Sequence, residues 1–333
     1  MQNAILIDFA MPREWEFRDE LEAASAMPWE VISLQSNQNH GKLQDLLRYA
    51  KYFWLPFCVF VRRKQYRKVL AWQQFFGLIL GFYLRAFRVK HGPEISVMTF
   101  IYKPKGRLLG KLYHAFVRYS IQCRHIKHIF VYSESERQHY SELFGVPQSL
   151  FQAIKLGVED EKVALQDSLA DKGYYVSAGR SNRDYTFLTE AWKAETRSLK
   201  IICDTGEMES TDQIECLHDC HGDDYLKELA GCHGVIIALQ DENISSGQLV
   251  LLHAMMLGKP VIITKNNALQ EYVLDGQTGL VIEKTAAALK EALEALDDTP
   301  RYEKMSAGAR NHYERNYTYK QLGKSVGTIL AAQ

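Results

Sequence analysis

Residues 245–262 join two serines, an apolar segment and the start of a strand, and they read Ser245-Ser246-Gly247-Gln248-Leu249-Val250-Leu251-Leu252-His253-Ala254-Met255-Met256-Leu257-Gly258-Lys259-Pro260-Val261-Ile262. The small residues lead directly into a predicted helix that Gly258 ends. Such a helix directs backbone N–H groups and the positive end of its dipole towards whatever lies above the sheet. The stretch therefore predicts a cradle for an anion such as a diphosphate. The alternative is that the serines only cap the helix.

A second candidate loop follows the first predicted strand of the same half of the chain. It comes directly after residues 174–178 and reads Gly179-Arg180-Ser181-Asn182-Arg183. In α/β sheets ligands bind outside the carboxyl ends of the strands, so both guanidinium groups are expected there. Arginine suits phosphate oxygens because its planar fork donates two parallel hydrogen bonds. A solvated loop without a ligand is the alternative for this segment taken alone.

Short apolar runs alternate with helical stretches along the chain. In the first half they predict strands at residues 4–9, 29–34, 67–72, 95–101 and 128–132. In the second half they predict strands at residues 174–178, 199–203, 234–239 and 260–264. Strands that alternate with helices predict a parallel sheet wrapped by helices. Two consecutive series of similar size therefore predict an α/β protein with two Rossmann-like domains.

The composition is that of an ordinary globular protein, with 333 residues of which 47% are hydrophobic and 24% charged. The six cysteines are scattered, and the first residues lack the basic flank and the long apolar core of a secretion signal. Two apolar stretches, residues 52–61 and 70–89, are too short or too polar to cross a membrane. These features predict a protein of the reducing cytoplasm.

The formal net charge is zero, but the charge is unevenly distributed. Residues 1–162 contain 23 Lys and Arg against 15 Asp and Glu, and the remaining residues contain 17 against 25. Between residues 42 and 127 there are 18 basic and 2 acidic residues, interleaved with Trp, Tyr and Phe. An anionic partner is expected for this half. Because these residue types mix in this way at bilayer interfaces, an anionic membrane surface or lipid-linked substrate is favoured over a plain solvated face.

Three parts of the sequence carry a resemblance to a known family. Residues 128–133, 144–147 and 156–159 look like the end of its acceptor domain, and residues 179–183 are similar to its first phosphate-binding loop. Residues 258–261 with 271–280 match its donor-domain signature. The family is the retaining glycosyltransferases of family 4, also called glycosyl transferases group 1. The resemblance implies a GT-B fold, in which two Rossmann-like domains face each other across a cleft. It also implies a nucleotide-sugar donor and no obligatory metal or other cofactor.

The resemblance also implies an order of domains. Residues 1–157 are expected to bind the acceptor, residues 158–173 to form a linker, and residues 174–316 to bind the donor. Residues 317–333 are expected to form a helix that crosses back to the first domain. Hinge motion at the linker would then close the cleft.

The sequence departs from the family at two donor positions. The family places two glutamates eight residues apart around the donor helix, and this chain has Ser245 and His253 there. A neutral imidazole has one acceptor nitrogen, so His253 is expected to accept one hydrogen bond from the ribose. Glu242 is a candidate for a replacement carboxylate. The predicted donor-binding residues are Glu242, Ser245, Ser246, Gly247, Gln248, Leu249 and His253.

The family's mechanism implies which groups are catalytic. It is a front-face displacement in which the leaving diphosphate itself helps to deprotonate the acceptor hydroxyl. Negative charge grows on the leaving phosphate, so the groups that stabilise it contribute most. The predicted catalytic residues are therefore Arg180 and Arg183, helped by the backbone N–H groups of residues 247–249.

The acceptor side is less well defined by the sequence. The family's glycine-rich loop after the first strand is missing, and this chain reads Asp8-Phe9-Ala10-Met11-Pro12-Arg13 there. Gln73 and Gln74 are the candidate acceptor-binding residues, because they begin a predicted helix directly after a strand. The predicted acceptor is a glycan or a lipid-linked saccharide, met in the cytoplasm or at the inner face of a membrane during synthesis of a cell-surface polysaccharide or glycoconjugate.

One dense group of side chains has the chemistry of a metal site: Cys216, His218, Cys220, His221, Cys232 and His233. The spacing of Cys216 and Cys220 falls within the range of zinc motifs. The favoured interpretation is nevertheless structural, with Cys232 and His233 packed between a helix over residues 224–230 and the following strand.

Other functions compete with glycosyl transfer. A non-catalytic GT-B subunit that binds a sugar or a partner protein is the first alternative, because both glutamates are missing. A GT-B sugar epimerase would need acid and base carboxylates that the sequence does not place. A Rossmann oxidoreductase is disfavoured because no Gly-x-Gly-x-x-Gly fingerprint follows a predicted strand. A nucleic-acid partner is not expected, since it accounts for the basic half and not for the donor-like half.

Overall fold

The structure is a computed structural model, and it describes residues 1–34, 42–102, 106–204, 208–242 and 246–332. The chain divides into two compact units. The first unit comprises Met1–Ile154 together with Gly323–Gln333, and the second comprises Lys155–Leu322. Within the described residues, each unit contains one six-stranded parallel sheet flanked by helices. The predicted α/β class and the two Rossmann-like series are therefore confirmed.

The first unit is built on a sheet with one point at which the strand order reverses. Its strands are β1 (Gln2–Ile7), β2 (Glu30–Ser33), β3 (Tyr66–Ala71), β4 (Glu94–Val97), β5 (Ile126–Val131) and β6 (Phe151–Ala153). Its helices are α1 (Glu16–Ser25), α2 (Lys42–Val61), α3 (Gln74–Ala86), α4 (Arg107–Ile121) and α5 (Glu134–Phe144). The strand order is β2-β1-β3-β4-β5-β6, and neighbouring strands are parallel. The order reverses between β1 and β3, which is where such sheets bind ligands.

The core of this unit is formed by strands that are apolar on both faces. Residues 4–7 of β1 are fully buried, as expected for a parallel strand covered on both sides. Helix α3 approaches the sheet unusually closely at two glycines. A Cβ atom at Gly77 would lie 2.7 Å from Val97, and one at Gly81 would lie 2.7 Å from Ile126. Neither position has room for a side chain, so α3 and the sheet determine each other's placement.

The second unit also has a six-stranded parallel sheet, and its strand order is that of the Rossmann fold. Its strands are β7 (Tyr174–Ala178), β8 (Ser198–Ile202), β9 (Ile214–Leu217), β10 (Gly234–Ile237), β11 (Val261–Thr264) and β12 (Gly279–Ile282). Its helices are α6 (Tyr185–Trp192), α7 (Gly222–Gly231), α8 (Gln248–Leu257), α9 (Ala286–Asp297) and α10 (Thr299–Asn316), followed by α11 (Tyr319–Ala331). The order β12-β11-β10-β7-β8-β9 places the switch point between β7 and β10.

Every predicted strand overlaps an observed one, but three observed strands were not predicted. These are β6, β9 and β12, each only three or four residues long. All three lie at the edge of a sheet. An edge strand is covered on fewer sides, so its sequence need not form a long apolar run, and this weakens the signal that the other strands carry.

The segment 158–173, predicted as a linker, belongs to the second unit. Asp160 accepts two hydrogen bonds from the guanidinium of Arg310, at 3.0 and 2.5 Å. Leu165 is buried, and Val158 pairs with Thr318 in an isolated parallel bridge. The predicted domain boundaries stay a prediction; this segment contacts the second unit at Val158, Asp160 and Leu165, and most of its other residues are exposed.

Helix α11 begins in the second unit, and its last part belongs to the first. A Cβ atom at Gly323 would lie 2.3 Å from the carbonyl oxygen of Phe17 in α1, so the two helices touch backbone to backbone. Near the end of α11, Lys68 donates from Nζ to the carbonyl oxygen of Leu330 at 2.6 Å. The predicted C-terminal helix is therefore present, and its end is held by β3 and α1.

The two apolar stretches weighed as membrane spans lie in α2 and in β3 with α3. The residues of α3 from Phe76 to Gly81 are buried in the core of the first unit, which explains their apolar character. Helix α2 instead carries several exposed aromatic side chains. Within the described residues, no helix combines the length and the apolar character needed to cross a membrane.

Candidate active site

The switch point of the second sheet brings the two predicted loops together. The loop 179–184 follows β7, residues 238–242 follow β10, residues 246–247 precede α8, and the two strands are neighbours. The loops are also joined directly, since the backbone N–H of Asp184 donates to the carbonyl oxygen of Ala238 at 2.9 Å. Arg183 and Leu239 pair in an antiparallel bridge. Two segments about 60 residues apart thus form one surface at the carboxyl ends of the strands.

Arg183 lies between these loops, and only 7% of it is exposed. Its Nε atom donates to the carbonyl oxygen of Ala178 at 2.8 Å, and its Nη1 atom to that of Ser181 at 2.9 Å. Nη1 also donates to the hydroxyl of Ser246 at 3.0 Å. Burial lowers the pKa of this guanidinium from its ordinary value. The N–H groups of Nε and Nη1 thus donate hydrogen bonds within the protein, and these bonds fix the loops to each other.

Glycine is required on both sides of this guanidinium. Gly179 has φ +108°, and a Cβ atom there would lie 2.7 Å from Nη2 of Arg183. Gly247 has φ +101° and is the residue before α8. A Cβ atom at Gly247 would lie 3.6 Å from the same Nη2. The positive φ angles and the close approach leave no place for larger residues.

The start of α8 has the geometry of an anion cradle. The first N–H groups of a helix have no acceptor within the helix, and its dipole is positive at this end. The hydroxyl of Ser246 donates to the carbonyl oxygen of Ser181 at 2.7 Å, so it is tied to the neighbouring loop. The side chain of Gln248 is buried, whereas Leu249 is 53% exposed. The predicted helix end at Gly258 is confirmed, because Gly258 caps α8 in the left-handed conformation.

Arg180 differs from Arg183 in its surroundings. Its side chain is exposed, directly after Gly179. Among the described residues, none forms an ion pair or a side-chain hydrogen bond with it. A solvated guanidinium beside an anion cradle is available to a ligand. Of the two arginines predicted to be catalytic, Arg180 is the one free to contact a phosphate, whereas Arg183 is placed to position the loops.

His253 lies in α8, beside Tyr225 of α7. Its Nδ1 atom is 3.3 Å from the hydroxyl oxygen of Tyr225, and the ring centroids are 5.7 Å apart. Burial lowers the pKa of His253 to about 4. The imidazole is therefore neutral near pH 7, as the sequence-based prediction assumed. The contact with Tyr225 selects the tautomer, and so decides whether Nε2 accepts or donates a hydrogen bond.

The two other predicted donor residues, Glu242 and Ser245, precede α8 in the sequence. Glu242 is exposed, and its carbonyl oxygen accepts a hydrogen bond from the backbone N–H of Asn267 at 2.9 Å. This bond fixes the backbone of Glu242, and its side chain is exposed to solvent. Ser245 lies outside the described residues. The roles of both residues stay predictions.

Asn182, which has no predicted role, clamps the two loops. It has φ +58°, a left-handed conformation that asparagine tolerates better than most residues. Its side chain donates to the carbonyl oxygen of Asp241 at 2.9 Å and accepts from the N–H of the same residue at 3.0 Å. An asparagine between two arginines in a loop is the signal that could have identified it.

A second residue without a predicted role is Lys284, which follows β12. Its ammonium group donates to Asp184 at 3.0 Å and to the carbonyl oxygens of Leu239 and Gln240 at 3.2 Å each. Lys284, which is exposed, thus links the loop after β7 to the segment after β10. Arg183, which is buried, links the same two segments. No local pattern in the sequence identifies such a contact.

Gln73 and Gln74 lie at the switch point of the first sheet, where the sequence predicted a helix to begin. Gln73 caps α3 by accepting a hydrogen bond from the N–H of Phe75. The amide of Gln74 both donates to the carbonyl oxygen of Ile101 and accepts from its N–H, each at 3.1 Å. Both side chains therefore have structural partners. Their acceptor-binding role stays a prediction, and any contact with an acceptor would compete with these bonds.

The cysteine and histidine side chains of the second unit are spread over several surroundings. His233 contacts Asp171 at 2.6 Å and stacks on Tyr302 with a centroid distance of 4.3 Å. Cys232 is fully buried after α7, as the structural interpretation expected. Within the described residues, the ligand atoms close enough to share an ion belong to a different trio, Asp204, Asp219 and His221, all exposed.

Comparisons with known proteins agree with this architecture. Residues 175–298 match the family described as glycosyl transferases group 1. No protein of curated function matches the sequence significantly. At 14% identity, the fold resembles sucrose-phosphate synthase from Thermosynechococcus elongatus with a TM-score of 0.71, over 99% of this chain and 98% of that chain.

Two further solved structures cover the same length. HepE from Anabaena, in complex with UDP, has a TM-score of 0.66 and 14% identity over 100% of both chains. WaaG, a glycosyltransferase involved in lipopolysaccharide biosynthesis, has the same TM-score and identity over 99% of this chain and 100% of that chain. At this level of identity the likeness establishes the fold.

The two six-stranded parallel sheets, each with one switch point, match the fold of these solved glycosyltransferases, which is the GT-B fold. Residues 175–298, which make up most of the second unit, are in addition similar in sequence to the glycosyl transferases group 1.

Proposed function

We propose that this glycosyltransferase moves a sugar from a nucleoside-diphosphate sugar to a glycan or lipid-linked acceptor, with retention of the anomeric configuration. The observation that carries the proposal is the position of Arg183 between Gly179 and Gly247. This arrangement holds two backbone loops and the start of α8 around a space that suits a diphosphate. Arg180 lies exposed at its edge.

The proposed roles follow from these surroundings. The backbone N–H groups at the start of α8 and the guanidinium of Arg180 stabilise the charge that grows on the leaving diphosphate. Arg183 positions both loops, so it acts on the reaction through them. Neutral His253 contacts the ribose, and Glu242 supplies the carboxylate that Ser245 and His253 do not. We assign none of these groups as a general base, because the leaving group takes the acceptor proton in the proposed mechanism.

Uridine diphosphate is the first candidate for the nucleotide, because HepE has been solved with UDP and with UDP-glucose. The test is a thermal-shift screen of the purified chain against UDP, GDP, ADP, CMP and dTDP. A ligand at 100 times its dissociation constant stabilises the folded state by about 2.7 kcal/mol. A shift with one nucleotide that is lost in Gly247→Val supports the proposal and names the base. No shift with any of the five would contradict it.

The acceptor and the pathway are proposed from two observations. WaaG is named for lipopolysaccharide biosynthesis, and the first half of this chain has the basic and aromatic composition of a bilayer-facing protein. We therefore place the reaction in synthesis of a cell-surface polysaccharide or glycoconjugate, in the cytoplasm at the inner face of a membrane. Gln73 and Gln74 lie where the acceptor would approach the first sheet. An anomeric NMR signal of unchanged configuration in the product would establish retention.

A second candidate is a non-catalytic GT-B subunit that binds a sugar or a partner protein. The observation in its favour is the replacement of two family glutamates by Ser245 and His253, with His253 half-buried and uncharged. Slow hydrolysis of the donor by the isolated chain distinguishes the candidates, since a binding subunit does not turn its ligand over. Hydrolysis that disappears in Arg180→Ala would exclude the non-catalytic function.

A further inference from the structure

The first unit carries a row of exposed apolar side chains on two adjacent helices. We call this row the aromatic ridge, and it consists of Phe53, Trp54, Phe57 and Val61 of α2 and Phe87 at the end of α3. Their exposed fractions are 53%, 62%, 40%, 58% and 67% in that order. Residues 53, 57 and 61 are spaced by four, so they project from one side of α2. Exposed large apolar residues are common singly, but a contiguous group marks a surface that meets something.

Ring contacts make the aromatic ridge continuous across the two helices. The centroids of Trp54 and Phe57 are 6.1 Å apart, and those of Phe57 and Phe60 are 6.3 Å apart. Phe60 then lies 5.2 Å from Phe87 of α3. Tyr83 supports the ridge from α3, at 5.9 Å from Phe57. The rings pack against each other and do not stand apart as separate platforms, so the ridge is a single apolar surface.

Cations border the aromatic ridge, and no carboxylate lies among its residues. Arg62 and Lys64 follow α2, and Arg88 and Lys90 follow α3, and all four side chains are exposed. Residues 46–93 contain no Asp or Glu. The guanidinium of Arg63 lies 5.0 Å from the ring of Phe60. A partner of this surface must therefore combine negative charge with an apolar interior.

A basic cavity of about 320 Å³ lies next to the aromatic ridge. Its lining includes the cationic side chains of Arg85, Arg88, Lys90 and Arg124 together with the imidazole of His125, and none of its lining residues is acidic. Arg85 is held in place by the carbonyl oxygen of Tyr119 at 2.6 Å. The cavity lies before β4 and β5, at the amino ends of these strands. It is therefore separate from the switch point at the carboxyl ends, where Gln73 and Gln74 lie.

We propose that the aromatic ridge and its cationic border dock on an anionic phospholipid bilayer, with a headgroup phosphate in the basic cavity. Trp and Phe side chains enter the interface between headgroups and acyl chains, while Lys and Arg meet the phosphates above it. The attraction of each cation to an anionic leaflet adds to the apolar burial. Single-stranded nucleic acid would need open ring faces on which bases stack, whereas these rings pack on one another and end in aliphatic Val61.

This inference extends the proposed function by naming the surface at which a lipid-linked acceptor is met. Binding to vesicles needs neither the donor nor the loops around Arg183. Failure of vesicle binding would therefore leave the proposed transfer reaction in place. Failure of the nucleotide screen would likewise leave the docking surface standing.

The test is flotation of the full chain with phosphatidylcholine vesicles, with and without phosphatidylglycerol. Two variants probe the surface: Trp54→Ser/Phe57→Ser removes apolar contacts, and Lys64→Glu/Lys90→Glu reverses two charges. The matched controls are in the second unit. Val163→Ser/Leu274→Ser removes apolar side chains that are 80% and 45% exposed, and Lys290→Glu/Lys304→Glu reverses two exposed charges. Circular dichroism of each variant checks that it is folded.

We expect binding only to vesicles that contain phosphatidylglycerol, weakened about tenfold or more in either ridge variant and unchanged in both controls. Added salt should reduce the binding of the parent chain. Three results would overturn the proposal: equal binding to neutral vesicles, no binding to either kind, or an equal loss in the control variants. Tighter binding of a single-stranded oligonucleotide than of anionic vesicles would also overturn it.

Discussion

Nη1 of Arg183 donates to the hydroxyl of Ser246 at 3.0 Å, and this bond joins two loops that are 63 residues apart in sequence. The same hydroxyl donates to the carbonyl oxygen of Ser181 at 2.7 Å, so the contact is closed on both sides. The buried guanidinium thus connects the end of β7 to the start of α8. Both the stability of the second unit and the shape of the anion cradle depend on it.

The Arg183→Ala substitution should therefore both destabilise the protein and weaken its binding of nucleotide. It leaves the carbonyl oxygens of Ala178 and Ser181 without a charged donor, and each such bond is worth about 1.5–3 kcal/mol. We expect a loss of about 3 kcal/mol in the free energy of unfolding, measured with urea, together with weaker nucleotide binding. Arg183→Lys should recover little, because a single ammonium cannot reproduce the fork. A variant as stable as the parent would refute the positioning role.

The Arg180→Ala substitution should leave the stability of the protein unchanged and lower its activity. The side chain is exposed and has no side-chain hydrogen bond or ion pair among the described residues, so the urea midpoint should not move. If it stabilises the leaving diphosphate, its removal should cost about 2–4 kcal/mol in the transition state, seen mainly as a lower kcat. Arg301→Ala, at another exposed arginine, is the control. Turnover within threefold of the parent would exclude Arg180 from the reaction.

Substitutions at two glycines with positive φ distinguish the effect of backbone strain from the effect of close packing. Gly173 has φ +76° and open space around it, whereas a Cβ atom at Gly179 would lie 2.7 Å from Arg183. We expect Gly173→Ala to cost about 1–2 kcal/mol in unfolding free energy, from the left-handed conformation alone. Gly179→Ala should cost more and should also weaken nucleotide binding, because it displaces the guanidinium. Equal losses in the two variants would show that the contact with Arg183 is unimportant.

His253 should make the stability of the fold depend on pH. Burial lowers its pKa to about 4, below the ordinary value near 6.5. Between these values the unfolded chain binds more protons than the folded one, so stability rises with pH and is fully regained above pH 6.5. The slope from this residue approaches about 1.4 kcal/mol per pH unit. His253→Gln removes it, so urea titrations of parent and variant at pH 4–7 should diverge only below pH 6.5. Parallel curves would contradict the half-buried, neutral histidine.

Local chemistry made some features readable from the sequence. Gly258 ends α8 because only a left-handed residue closes the helix without strain, and the long apolar strands form because both faces of a parallel sheet are buried. The edge strands β6, β9 and β12 were not predicted, because a partly buried strand need not form a long apolar run in the sequence. Gln74 was expected to meet an acceptor, but its amide pairs with the backbone of Ile101, a partner 27 residues away that no local pattern identifies.

The sequence by itself determined the alternation of strands and helices, the charge asymmetry of the two halves, and the glycine positions where the backbone must turn or approach closely. These follow from properties of single residues and their near neighbours. Only the tertiary structure decided that Arg183 is buried and joins two loops, whereas Arg180 is exposed to solvent, although both belong to the same short loop. It also placed Lys284 and Asn182 across the switch point and gathered the aromatic ridge on α2 and α3. Burial and partner choice depend on which strands become neighbours, and that is a property of the whole chain.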